Sequence, residues 1–380
     1  PSAAWFLRLL SGEGAEDAPA RPYPFFLASP VEGDAGGLGD ARDWQCEWKW
    51  DGIRAQLIRR AGGCVLWSRG EEIVTGAFPE VAEAARVLPE GTVVDGELLA
   101  WRGDAPLPFA QLQRRLNRRS AGDAIRRAVP VVLMAYDLLE LGGEDCRDRP
   151  LLERRMRLEQ LLARATSAIP SPDPRGAAPV QMDLFGQPGE DPGASVVLRL
   201  SGVLPASSWE EVGAWRARAR GCGAEGLMLK RRDSAYGVGR QRGAWWKWKI
   251  APFTCDAVLV AAQPGHGRRA ALFTDYTFAL WRGTELLPVA KAYSGLTDAE
   301  MGEVDAFVRG NTTGRFGPVR SVSPELVFEL AFEGVAPSPR HKSGLALRFP
   351  RIARWRRDKK PAEADTLEAL RQLAAPGGDG

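Results

Sequence analysis

Glu47-Trp48-Lys49-Trp50-Asp51-Gly52-Ile53-Arg54 sets a lysine two residues ahead of an aspartate, then adds a glycine and an arginine. In strand alternation Glu47, Lys49 and Asp51 project to one face, and Trp48 and Trp50 to the other. A polar face backed by two tryptophans suits a lysine held partly out of water and aimed at an anion. The same residues also suit an edge strand with a solvated charged face. A motif this short is decided by its context.

The chain has 380 residues, 44% hydrophobic and 26% charged, which suits two or three soluble globular domains. No apolar run approaches the ~20 residues that cross a bilayer, and no signal-peptide pattern opens the chain, so no membrane role is expected. The first residues, Pro1-Ser2, read as the start of a fragment or a processed chain. Cys46, Cys64, Cys146, Cys222 and Cys255 are scattered without a Cys-x-x-Cys, and only two histidines are present. That argues against a zinc site and a disulfide framework and fits a reducing cytoplasm. Net charge is only +3, but between Arg340 and Lys360 nine residues are basic and Asp358 alone is acidic. Such a block is either a solvated face or a footprint for a phosphate backbone.

Taken in order, residues 1–20 read as an N-terminal helical stub, with the helix at 3–10, and 21–32 as extended and proline-punctuated. The strand of Lys49 is expected to run on through Ile53, Ala55 and Leu57 to a turn at 61–63 and return over 64–68, so Lys49 is placed on a hairpin. A helix over 78–88, a strand over 92–99 carrying Asp95-Gly96-Glu97, a basic helix over 109–128, a buried strand over 129–139 and an amphipathic helix over 151–165 follow. Residues 170–195, rich in Pro, Gly, Asp and Ala, read as a mobile insertion. A helix capped by Ser208 with Glu211 precedes a strand carrying Glu225 to Lys230, and Trp245 to Lys249 alternate with both lysines on one face. Ala251-Pro252 breaks the pattern. Short strands and one helix, opened by Thr297 with Glu300, then suit a small barrel of the OB type over 252–360, followed by a helical tail over 361–380.

Seven stretches therefore stand in fixed order: Lys49-Trp50-Asp51-Gly52, Ser68-Arg69-Gly70, Asp95-Gly96-Glu97, Tyr136-Asp137, Glu225 to Lys230, Trp246-Lys247-Trp248-Lys249, and Arg348-Phe349-Pro350-Arg351-Ile352 running to Arg357-Asp358-Lys359. The series resembles the covalent nucleotidyltransferases, and its Arg-Phe-Pro-Arg-Ile ending is similar to that of ATP-dependent DNA ligases. The resemblance implies an α+β chain: a nucleotidyltransferase (adenylation) domain of ATP-grasp-like antiparallel sheets with helices over 21–251, then the OB domain. It implies that Lys49 attacks the α-phosphate of ATP and carries AMP to a 5′-phosphate at a nick in duplex DNA, which the 3′-hydroxyl seals, in repair or replication. A lysine nucleophile must be unprotonated against a reference pKa of about 10.4, and Arg54, Lys247 and Lys249 are candidates to favour that. By resemblance Lys230, Lys247 and Lys249 face the phosphates, as does an arginine ahead of the lysine pair, Arg242 or the nearby Arg240. Glu97 and Glu225 hold Mg²⁺ (or Mn²⁺) or ribose hydroxyls. Arg69 touches the ribose, Tyr136 stacks on adenine and Glu47 reads its amino group. Arg351 and Lys359 orient the leaving pyrophosphate, with the barrel swinging about 249–252. A monomer is expected, cytoplasmic and nucleoid-associated. The alternative reading is an RNA ligase or an mRNA-capping-type enzyme; a binding barrel without catalysis leaves the lysines and glutamates unexplained.

Gln181-Met182-Asp183-Leu184-Phe185, inside the insertion, resembles the pentapeptide by which bacterial replication proteins dock on the sliding clamp. If Gln181, Leu184 and Phe185 make that contact, immobilised clamp retains the wild type and releases a Leu184→Ala/Phe185→Ala variant; equal retention would remove the assignment.

Overall fold

Alternating buried and polar residues build two sheets in the first unit. The computed structural model describes residues 21–116, 118–167, 197–265, 267 and 270–374. The stub over 1–20, the insertion with its clamp-like peptide and residues 375–380 of the tail lie outside them. The chain divides into two compact units, Pro1–Ile250 and Ala251–Gly380. Among the described residues no helix is long and apolar enough to cross a membrane.

In the first unit the strands that matter are β1 (Trp44–Trp50), β2 (Ile53–Arg60), β3 (Gly63–Ser68), β4 (Thr92–Arg102), β5 (Val131–Leu141), β6 (Leu198–Leu200), β7 (Val203–Leu204), β8 (Ala224–Arg231) and β9 (Trp245–Lys249). One sheet has the order β6-β5-β4-β2-β3; the other has β7-β1-β8-β9 with Ser29–Pro30 at its edge. On the first sheet Ala55, Leu57, Val94, Leu98, Leu133 and Ala135 pack beneath helices through Val81, Leu112, Ile125 and Leu158. Its opposite face meets the second sheet, with Ile58, Val93, Leu139 and Trp245 in one cluster and Trp50 beside Leu99, Trp101 and Met134 in another. The far face of the second sheet buries Cys46, Leu227 and Leu229 under the helix Trp209–Arg218, whose N-cap Ser208 accepts from the Glu211 N–H at 3.2 Å. Trp48, Trp246 and Trp248 belong to that outer layer, as packing.

Two expectations need correction. Lys49 is not on a hairpin: β1 and β2 lie in different sheets, and the chain crosses over at Asp51-Gly52. Only β2 and β3 form the hairpin. Nor is 109–128 one basic helix. It is Phe109–Leu116 and Asp123–Ala128, separated at Ser120-Ala121-Gly122, where serine and glycine favour a turn. Arg115 is buried, paired with Glu80 at 2.8 Å and donating to the Ala77 and Val129 carbonyls, so part of that positive charge is structural.

In the second unit Phe253–Pro264 pairs with Phe273–Arg282 and with Val327–Phe332. Phe273–Arg282 continues to Glu285–Ala292, and Val327–Phe332 to Arg351–Trp355. The Ile352 N–H donates to the Ser294 carbonyl at 3.0 Å, just past Glu285–Ala292, so five strands come round into an OB-type barrel. Phe278, Phe328, Leu330, Val304 and Val308 fill it. The helix Asp298–Gly310 opens with a complete capping box of Thr297 and Glu300.

Candidate active site

Three neighbouring strands of the second sheet bring together residues far apart in sequence. Leu227 of β8 lies opposite Trp48 of β1 and Trp248 of β9. Lys49, Glu225 and Lys249 thus fall at one end of the ladder, and Glu47 and Lys230 at the other. Glu225 and Lys230 are five residues apart, an odd spacing that would put them on opposite faces of an unbroken strand. The register against β1 shifts between Ala224 and Leu227, a bulge at Gly226 with φ of +142°. It turns Glu225 back: Glu225 reaches Lys49, Lys230 reaches Glu47, and Glu47 and Lys49 share a face of β1. A Cβ on Gly226 would stand 2.3 Å from the Trp248 carbonyl oxygen, and one on Gly52 would stand 2.3 Å from that of Leu98 and 2.8 Å from Glu97 Cγ. Glycine at these positions lets β8 approach β9 and lets the crossing after Lys49 lie against β4.

Lys49 Nζ is 2.5 Å from Glu225 Oε2, and Lys249 Nζ is 3.3 Å from the same oxygen. Burial works against ionisation of Glu225, but the two ammonium groups outweigh it and hold the carboxyl below its usual range. Glu97, on β4, goes the other way: burial pushes it up to about 7, and Lys49 and Arg54 compensate only in part. Lys247 is lowered by burial first and then by Arg240, Lys49, Lys249 and Arg69. The site is therefore a partly desolvated cluster of cations with one carboxyl held below its usual range and one pushed above it. Arg54 leans on β4: it pairs with buried Asp95 at 2.7 Å and donates to the Phe26 carbonyl at 2.6 Å. Asp95 also accepts from the hydroxyls of Tyr136 at 3.2 Å and Tyr236 at 2.6 Å.

Family comparisons agree with the geometry. The ATP dependent DNA ligase domain matches residues 26–249, and the ATP dependent DNA ligase C terminal region matches residues 269–359. The chain belongs to the ATP-dependent DNA ligase family. A probable DNA ligase of Opitutus terrae is 44% identical over 93% of this chain, and one of Koribacter versatilis is 40% identical over 93%. The chain spans 35% and 60% of the length of those relatives. A solved structure from a study of Lig E DNA ligases, 18% identical, covers 88% of this chain and 100% of its own at a TM-score of 0.56, and shares the fold.

Of the residues singled out in the sequence, Lys49, Glu97, Glu225, Lys247, Lys249 and Arg69 act electrostatically on one another at this ligase-family site. The sequence set Lys230 with Lys247 and Lys249 among the phosphate-facing cations. Lys230 is buried with Glu47 at 3.0 Å and lies 4.2 Å from the centroid of the Tyr136 ring, because its place on β8 is five residues from Glu225. Arg242 is exposed and pairs with Glu32 at 3.2 Å, whereas Arg240 is the arginine whose charge reaches Lys247. In the second unit Arg351 is exposed, and Lys359 Nζ lies 2.6 Å from Asp256. Asp95, Tyr236 and Gln45 were missed. Asp95 and Gln45 each lie two residues from a chosen glutamate on the same strand face, which was a usable signal; Tyr236 carried none.

Glu97 and Glu225 offer hard oxygen donors to a divalent cation. Among the described residues no cluster of three or more His, Cys, Asp or Glu forms a metal cage. Two carboxylates, completed by substrate phosphates, suit Mg²⁺. Because the folded-state value of Glu97 exceeds its ordinary 4.5, the folded chain holds that proton more tightly than the unfolded chain, and stability falls as pH rises from about 4.5 through about 7. Glu97→Gln, which cannot titrate, is expected to melt above the wild type at pH 8, with the gap narrowing toward pH 4.5. Melting curves across that range check it; a gap independent of pH would contradict the assignment.

Proposed function

We propose that the chain is the catalytic core of an ATP-dependent DNA ligase that seals nicks in duplex DNA. The observation that carries this is Lys49 paired with Glu225 and flanked by Lys249, Lys247 and Glu97 in one partly buried cluster of the first unit. The lone pair Lys49 needs for attack is available only once its ammonium has given up a proton, for which Glu225 Oε2 at 2.5 Å is the acceptor in reach, and the pairing has loosened. ATP entry supplies the competitor, since a ribose hydroxyl can donate to that carboxylate. The Lys49 nitrogen then forms a bond to the α-phosphorus, the bond to pyrophosphate breaks, and a lysyl-AMP phosphoramidate remains. Lys247 and Lys249 stabilise the charge that spreads over the phosphate oxygens. Mg²⁺ held by Glu97 and Glu225 would neutralise phosphate charge. AMP passes next to the 5′-phosphate of the nick, and attack by the 3′-hydroxyl joins the strand and releases AMP. Tyr136 would take adenine, Arg69 the ribose, and Arg351 and Lys359 the pyrophosphate of the first step.

Incubation with α-labelled ATP and Mg²⁺ is expected to label the wild type and leave Lys49→Ala unlabelled, and nicked DNA is expected to discharge the label as free AMP while the nick is sealed. Label from GTP alone would point to a capping-type enzyme, discharge into nicked RNA alone to an RNA ligase, and no label would remove the catalytic reading.

A further inference from the structure

Glu47 is held by two neighbours. Lys230 Nζ lies 3.0 Å from its Oε1 and 3.1 Å from its Oε2, and Gln45 Nε2 donates to Oε1 at 2.6 Å. Gln45, Glu47 and Lys230 are all at most 1% exposed. Gln45 and Glu47 are two residues apart on β1 and so share its face, and Lys230 lies directly opposite Gln45 on β8. An ionised carboxylate has about four acceptor sites, two on each oxygen. Oε1 receives two donors and is filled. Oε2 receives one, from Lys230, and keeps one acceptor site.

We infer that Gln45 is a specificity-positioning residue: by filling Oε1 it fixes the Glu47 carboxylate with its single remaining acceptor site, on Oε2, turned to the nucleobase. This rests on the reading of Glu47 as the adenine contact and deepens it. Adenine presents an amino N–H to such an acceptor. Guanine presents a carbonyl oxygen at the same ring position, and two lone pairs would then face each other at a buried site where water cannot intervene. Lys230, held to both carboxylate oxygens, keeps the group from swinging as a free anion, and its ammonium lies against the rings of Tyr136 at 4.2 Å and Trp245 at 4.6 Å. Selection for ATP thus depends on the direction of one lone pair. Without Gln45 only Lys230 restrains the Glu47 carboxylate, and a second acceptor site opens on Oε1.

The test compares kcat/KM for self-nucleotidylation from ATP and from GTP in the wild type, Gln45→Leu and Glu47→Gln. Gln45→Leu is expected to lower the ATP:GTP preference about tenfold, the scale of one hydrogen bond to a charged group, mainly through KM for ATP. A structural defect alone would lower both substrates in proportion and leave the ratio where it was. If Gln45→Leu melts early, Gln45→Met, of equal length, is read instead. A preference that falls in Glu47→Gln and stays unchanged in the Gln45 variants overturns the role of Gln45 and leaves Glu47 as the base contact. A preference unchanged in both overturns the base contact itself.

Discussion

The pairing of Lys49 with Glu225 depends on a break in strand regularity. Side chains on a strand alternate with a period of two, so no unbroken β8 could offer both Glu225 and Lys230 to the face that carries Glu47 and Lys49. The bulge at Gly226 resolves the conflict and divides that face into two stations, with Lys49, Glu225 and Lys249 at one and Glu47, Gln45 and Lys230 at the other. Across the cleft the first sheet supplies Glu97, and Asp95 gathers Arg54, Tyr136 and Tyr236. The carboxylates of Glu47, Asp95 and Glu225 tolerate burial because each is paired with a cation, and Glu97, which is compensated only in part, is pushed up to about 7.

In the proposed reaction the pairing of Lys49 with Glu225 also sets the order of events. A nucleophile bound to a carboxylate is protected until substrate takes the carboxylate. The cations around Lys247 then meet phosphate oxygens instead of one another. Substrate binding relieves their mutual repulsion, and that relief favours the anionic ligand over water.

Much of this was legible in the sequence. The ordered short motifs, each carried on a strand or just beyond it, pointed to the α+β adenylation unit and the barrel. The alternation separated Lys247 and Lys249 from Trp246 and Trp248 and Lys49 from Trp48, whereas Trp50 packs inward against Leu99, Trp101 and Met134 of the first sheet. What was not legible depends on long-range geometry. The crossing at Gly52 moves Lys49 off the hairpin, and the bulge brings Glu225 to Lys49 while Lys230 pairs with Glu47. Arg54 and Arg242 are taken by Asp95 and Glu32, partners 41 and 210 residues away. The basic stretch from Arg340 to Lys360 shows the same limit: Arg354 pairs with Glu329, Arg356 and Lys359 with Asp256, and Arg357 with Glu303. A charge count along the chain overstates what that surface presents to a polyanion, because acids from other strands neutralise part of it.

The central claim is that one lysine, Lys49, becomes covalently adenylated. Peptide mapping by mass spectrometry after reaction with ATP and Mg²⁺ tests it directly. Expected is a single AMP adduct on the peptide containing Lys49, labile to acid as a phosphoramidate is. An adduct on Lys230, Lys247 or Lys249 instead, or AMP found only non-covalently bound, would contradict it.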